Sequence, residues 1–194
     1  MDYFDLILEK IFAFEHLGIK KMNNGAVKLG AAPHIAPKAY SHEIFKPLEK
    51  EDIDFLENEN KTTLPKDYVE FLTTKSNGLR FFVTCFSLDG LRKQIGRDEE
   101  AAAQPFSLSD TNVWEKPKNA KSEYFFIGGY GYDGSKLYID KNTNKVHYCA
   151  RRDATSLKEW DNFEEMMISE TERIFKLFDD KGVRLVTSKE TLPI

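Results

Sequence analysis

Hydrophobic residues along this chain recur at two periods, and the switches between them mark out the elements. From Tyr124 to Cys149, YFFIGGYGYDGSKLYIDKNTNKVHYC, the period is two. Phe125, Phe126 and Ile127 form an apolar run. Leu137 and Ile139 then alternate with Lys136 and Asp140, leaving Tyr138 to the other face. After Lys141–Lys145 the chain returns through Val146, His147, Tyr148 and Cys149. Aromatic and β-branched runs bounded by Gly and Asn clusters predict strands joined by tight turns, here a β-meander over 124–149. A further strand is predicted over 80–87, within Leu79–Leu88, with Asp89-Gly90 turning out of it.

Elsewhere the helical period dominates. Phe4, Ile7, Leu8, Ile11 and Phe14 fall at i, i+3, i+4, i+7 and i+10, which predicts an amphipathic helix over 2–18. Asp2 and Asp5 suit its N-terminal end and Gly18 stops it. A short helix is expected at 50–59, with Leu48 stapling onto Ile53 across a cap at Glu49. The next, 65–76, takes Pro65 at its first position, buries Tyr68, Phe71 and Leu72, and ends at Asn77-Gly78 with a left-handed cap. Ser156-Leu-Lys-Glu159 has the form of a capping box, so the last helix is predicted from there, with Trp160, Phe163, Met167, Ile174 and Phe178 in its stripe. Residues 19–42, with Gly25, Gly30, Pro33 and Pro37, show little periodicity and read as a covering arm. Residues 92–122 read as an irregular loop with a brief strand at Phe106 and Leu108, anchored by Trp114. Val183–Val186 has the makings of an edge strand.

Helices and strands that do not alternate regularly indicate α+β. The expectation is a single domain with a central, mostly antiparallel sheet, flanking helices and a long C-terminal helix. Residues 1–42 form an N-terminal helix and arm, 43–182 the main body, and 183–194 a tail.

Charge and chemistry narrow the functional classes. The 32 acidic and 28 basic residues leave a formal charge of −4, which argues against direct nucleic-acid binding and suits a partner with a basic surface. The N-terminal MDYFDLILEKIF lacks a basic region and cleavage site, and no apolar run has membrane-spanning length, so a cytoplasmic protein is expected. Cys85 and Cys149 lie in apolar runs and read as buried, reduced thiols. His34 and His42 have no third ligand at metal spacing and read as surface histidines; neither metal nor cofactor is expected. Gly129-Tyr-Gly131-Tyr-Asp-Gly134 matches G-x-G-x-x-G, but a strand follows where a dinucleotide site needs a helix N-terminus. The glycines are better explained by a turn with φ > 0. His147 and Cys149 share a strand face, a packing pair rather than a catalytic one. Asp133 and Asp140, seven residues apart, would lie about 23 Å apart on an extended strand, too far for a carboxylate dyad. Asp133 and Asp89 read as turn-fixing residues.

One ordered set of residues stands out. Pro47-Leu48 precedes the acidic helix; Leu64-Pro65-Lys66-Asp67-Tyr68-Val69-Glu70-Phe71-Leu72 leads to Asn77-Gly78; Ile127-Gly128-Gly129-Tyr130-Gly131-Tyr132-Asp133-Gly134 is followed by Tyr138-Ile139-Asp140; and Trp160-Asp161-Asn162-Phe163 opens the final helix. Over roughly 43–178 the chain resembles the SUKH superfamily, known also through fungal cell-wall-assembly regulators of the Smi and Knr type. The resemblance implies an α+β domain without enzymatic activity. Bacterial members look like immunity proteins that neutralise a cognate polymorphic or contact-dependent toxin, often a nuclease; fungal members are regulatory scaffolds with several protein partners. The first 42 residues and the long 92–122 loop depart from the family pattern. For a toxin with a basic surface, the candidate contacts are Glu51, Asp52, Asp54 and Glu57 on the acidic helix, with Trp114, Tyr130, Tyr132 and Asp133 as loop and turn anchors. A small-ligand site would instead need a deep pocket at Gly129–Gly134 containing a perturbed carboxylate.

Overall fold

A computed structural model describes residues 2–188 and 190–194. Nine strands form one sheet in chain order, every neighbour antiparallel. They are β1 Ile19–Lys21, β2 Val27–Ala31, β3 Tyr40–Ile44, β4 Leu79–Phe81, β5 Phe86–Leu88, β6 Tyr124–Gly129, β7 Lys136–Asp140, β8 Val146–Ala150 and β9 Asp153–Trp160. The helices are α1 Tyr3–Phe12, α2 Lys50–Asn60, α3 Lys66–Thr74, α4 Glu99–Ala102 and α5 Phe163–Phe175, with a 3₁₀ turn at Glu15–Leu17 and a π turn at Asp110–Trp114. The chain is therefore an α+β single domain, and the predicted meander is its β6–β8.

The strand alternation divides the core between the two faces of the sheet. Phe125, Ile127, Leu137, Ile139, Val146 and Tyr148 point to the face covered by α1, α2, α3 and α5, where Ile11, Leu56, Tyr68, Phe71, Phe163 and Met167 meet them. Phe126, Tyr138 and Cys149 point the other way, into a smaller cluster with Ala154. Loop 92–122 lies over this second face. Asn112 fastens it, accepting from the Phe126 N–H at 2.9 Å and donating to the Phe126 carbonyl at 2.8 Å.

Five expectations are corrected. The covering arm at 19–42 is strands β1–β3, whose pattern is masked by polar residues facing the second side. Cross-strand register sets Lys28 beside Glu43 and Glu43 beside Arg80, and the three form a buried ion cluster at 3.3 and 2.6 Å. The single strand at 80–87 is a hairpin, β4–β5. Phe82 and Val83 adopt φ of 44° and 67°, an arrangement bulky residues resist. Packing fixes it: the Phe82 ring stacks on Phe178 at 3.8 Å. The helix expected from Ser156 starts after Asn162, whose side chain accepts from the Glu165 N–H at 2.8 Å. Ser156–Glu159 belongs to β9. The 2–18 helix stops at Phe12 and turns into the 3₁₀ segment. Val183–Val186 makes only a single bridge, Arg184 with Phe178.

The glycine stretch works by close approach as much as by backbone sign. Gly128 has φ 150°, and a Cβ there would sit 2.1 Å from the Ser87 carbonyl; one on Gly129 would sit 2.1 Å from that of Ser135. Both positions let β5, β6 and β7 close up, and they leave a hollow on the second face.

Candidate functional site: a carboxylate-lined cleft

That hollow is the floor of a cleft of about 330 Å³. Across β4–β7 the register reads Arg80, Ser87, Gly129, Lys136. Two long cationic side chains thus flank a serine and a glycine, and the gap between them stays open. The π turn supplies one wall through Asp110 and Thr111, and Glu115 follows it; the glycine turn 130–134 supplies another. Lys136 is already engaged, donating to Thr111 Oγ1 at 3.0 Å with Glu115 Oε2 at 4.0 Å. Arg80 is held by Glu43 and by the Gln104 carbonyl at 2.6 Å.

Asp89 sits at the base of this cleft, 7% exposed. Its backbone is tied down: its N–H donates to the Ile127 carbonyl at 2.8 Å, and the Tyr68 hydroxyl donates to its carbonyl at 2.5 Å. Its carboxylate has no hydrogen-bond partner among the described residues. Burial pushes that carboxyl up to about 7, with Asp110 reinforcing the shift and Lys136 and Arg80 opposing it. The turn-fixing reading of Asp89 is therefore corrected. Asp133 does fix its turn, accepting from the Ser135 N–H at 2.8 Å. The glycine N–H groups offer nothing to an anion, because Gly131 donates to the Thr84 carbonyl and Gly134 to the Tyr130 carbonyl.

Of the candidate contact residues only Tyr130 lines the cleft; Trp114, Tyr132 and Asp133 are sequence neighbours of lining residues. Trp114, 78% exposed, ends the π turn beside Glu115. Tyr132 is 52% exposed, and it and the exposed Asp133 lie in the glycine turn. Tyr130 is corrected: it is 2% exposed, and its hydroxyl donates to the buried Glu170 at 2.7 Å. On α2, Glu51 and Asp54 are exposed and make no ion pair with a described residue. Asp52 pairs with Lys93 at 2.7 Å, and Glu57 accepts from the Leu64 N–H at 2.9 Å. The helix end meets the π turn through Glu59, which accepts from the Ser109 hydroxyl.

The histidines and cysteines have other surroundings. His42 is corrected from a surface residue to a fully buried one, ringed by Phe14, Phe81, Phe82 and Phe175. His147 Nδ1 lies 2.9 Å from the Ser156 hydroxyl, and its ring stacks on Tyr138. Both cysteines are free thiols; burial raises both, Cys149 to about 12, which leaves neither a nucleophile at neutral pH. Among the described residues no group of three or more His, Cys, Asp or Glu is placed to hold a metal, and no helix is long and apolar enough to cross a membrane.

The SMI1 / KNR4 family (SUKH-1) matches residues 47–169. The chain belongs to this family. No curated protein matches it. The matched SUKH-1 segment contains α2, α3, β4–β9, the π turn and the whole cleft; β1–β3, outside it, continue the same sheet.

Proposed function

We propose that this SUKH-1 protein is a non-enzymatic, cytoplasmic immunity-type protein that binds and neutralises a cognate toxin with a basic contact surface, a nuclease being the class whose substrate cleft must be basic. Membership of the family carries the reading. The surface supports it: exposed acids on α2, the exposed aromatics Trp114 and Tyr132, and a carboxylate-lined cleft suit a basic partner. The alternative, a regulatory scaffold, predicts several partners of lower occupancy.

Affinity capture from the native cell, with bound proteins identified by mass spectrometry, separates the two. One stoichiometric partner carrying a toxin-like C-terminal domain supports the immunity reading; several substoichiometric partners support the scaffold. With the partner in hand, Trp114→Ala is expected to weaken binding by about 2 kcal/mol, roughly 30-fold. Glu51→Lys with Asp54→Lys should slow association and flatten its salt dependence. An association rate untouched by that charge reversal would remove the α2 face from the interface.

A further inference from the structure

We propose that the cleft between β5, β6 and the π turn is a receptor for a guanidinium group, an arginine side chain presented by the partner, with Asp89 as its principal acceptor. The cleft holds more carboxylates than cations, and its unpartnered hydroxyl, Ser135, can accept as well as donate. Asp89, Asp110 and Glu115 line it against Lys136, which Thr111 holds with Glu115 at 4.0 Å, and against Arg80 at the far end of the row, which Glu43 and the Gln104 carbonyl hold. Gly131 and Gly134 have spent their N–H groups on the Thr84 and Tyr130 carbonyls, which disfavours a phosphate. An occupant must therefore bring donors and positive charge. A guanidinium has five donors, carries its charge at every working pH, and sheds water more readily than an ammonium.

Asp89 makes the cleft more than a cluster of acids. It is a largely buried carboxylate that makes no hydrogen bond with a described residue, and it lines the cleft beside Ser87 and Gly129. Unpartnered polar groups at this depth are costly, and a ligand donor relieves that cost. Asp110, Lys136 and Arg80 are the charges that face it, and the Tyr68 hydroxyl is committed to its backbone carbonyl. A bound cation selects the ionised carboxylate, so binding releases a proton.

The proposal rests on the toxin-binding reading only for the source of the arginine, and a peptide tests the cleft without the partner. The capped peptide acetyl-Gly-Arg-Gly-amide, titrated into the full chain and followed by amide resonances, should shift Gly128, Gly129 and Gly131. Its citrulline counterpart, the same shape without the charge, should not. Asp89→Ala should weaken the arginine peptide by about tenfold or more. Ser87→Val, which fills the floor, should abolish the shifts. Affinity should rise by about tenfold from pH 6 to pH 8, as the Asp89 carboxyl ionises, and this rise should vanish in Asp89→Ala. Equal binding of citrulline, or a flat pH profile, overturns the proposal. A peptide that binds as described while cell capture yields no toxin overturns the immunity reading and leaves the cleft assignment standing.

Discussion

Replacing His42 with leucine should stabilise the protein progressively as the pH falls from about 6.5, and replacing Asp89 with alanine should stabilise it progressively as the pH rises from about 4 to about 7. The two groups are buried with opposite consequences. Burial drives His42 down to about 3, and neither ring nitrogen has a hydrogen-bond partner among the described residues. The unfolded chain binds a proton there below the ordinary histidine value of 6.5, and the folded chain does not, so acid favours unfolding across that window. Asp89 does the reverse: between 3.8 and about 7 the folded chain holds a proton that the unfolded chain has lost, so stability falls as the pH rises. Each contributes a slope of at most about 1.4 kcal/mol per pH unit, and the slopes oppose each other through most of the range. In the native protein they largely cancel; each substitution uncovers the other. Relative to its value at pH 7, the stability of His42→Leu compared with wild type should gain roughly 3 kcal/mol by pH 4. Asp89→Ala should gain roughly 4 kcal/mol over wild type between pH 4 and pH 8. Urea unfolding at half-unit pH steps reads both differences. Difference profiles parallel to the pH axis would show that these groups titrate normally in the fold.

The same residues show what a sequence can reveal. The β6–β8 meander was legible because each strand alternates and each turn carries Gly or Asn, so local chemistry and tertiary position agree. β1–β3 were not, because Lys28 and Glu43 face a side of the sheet covered by a loop, and their ion cluster with Arg80 exists only once three strands are in register. β9 was hidden by coincidence: Ser156 and Glu159 stand at capping-box spacing on an extended strand, while the true cap, Asn162, lies six residues on. His42 looked like a surface residue because nothing local announces four phenylalanines around it. Trp114 and Tyr132 were legible as exposed aromatics in loop and turn. Asp89 was not, since Asp-Gly is ordinary turn chemistry. Lys136 lies 47 residues away from it in sequence, and only the β5–β6–β7 register makes them neighbours.

Glu170 is where a change outside the cleft should cost most. It is fully buried on α5, with Arg173 Nη2 at 2.5 Å, the Tyr130 hydroxyl at 2.7 Å and Lys158 Nζ at 4.0 Å. Arg173 reaches on to the Thr191 carbonyl at 2.9 Å, so the carboxylate joins α5, the glycine turn and the C-terminal segment. Glu170→Ala removes the anion and leaves its partners in place; the expected loss is about 3–5 kcal/mol. Tyr130→Phe, which removes one bond to that anion, should cost about 1–2 kcal/mol. Glu170→Leu combined with Arg173→Leu should recover much of the loss, because two apolar groups replace a pair whose desolvation was itself expensive. Urea unfolding of the three variants gives the comparison. If Glu170→Ala lost less than about 1 kcal/mol, water would be reaching the site and the pair would behave as a surface one. The set also separates structure from recognition. Tyr130→Phe should leave partner association unchanged at a temperature where it is folded, whereas Trp114→Ala should weaken binding at unchanged stability, because the first side chain is buried against Glu170 and the second is exposed at the end of the π turn.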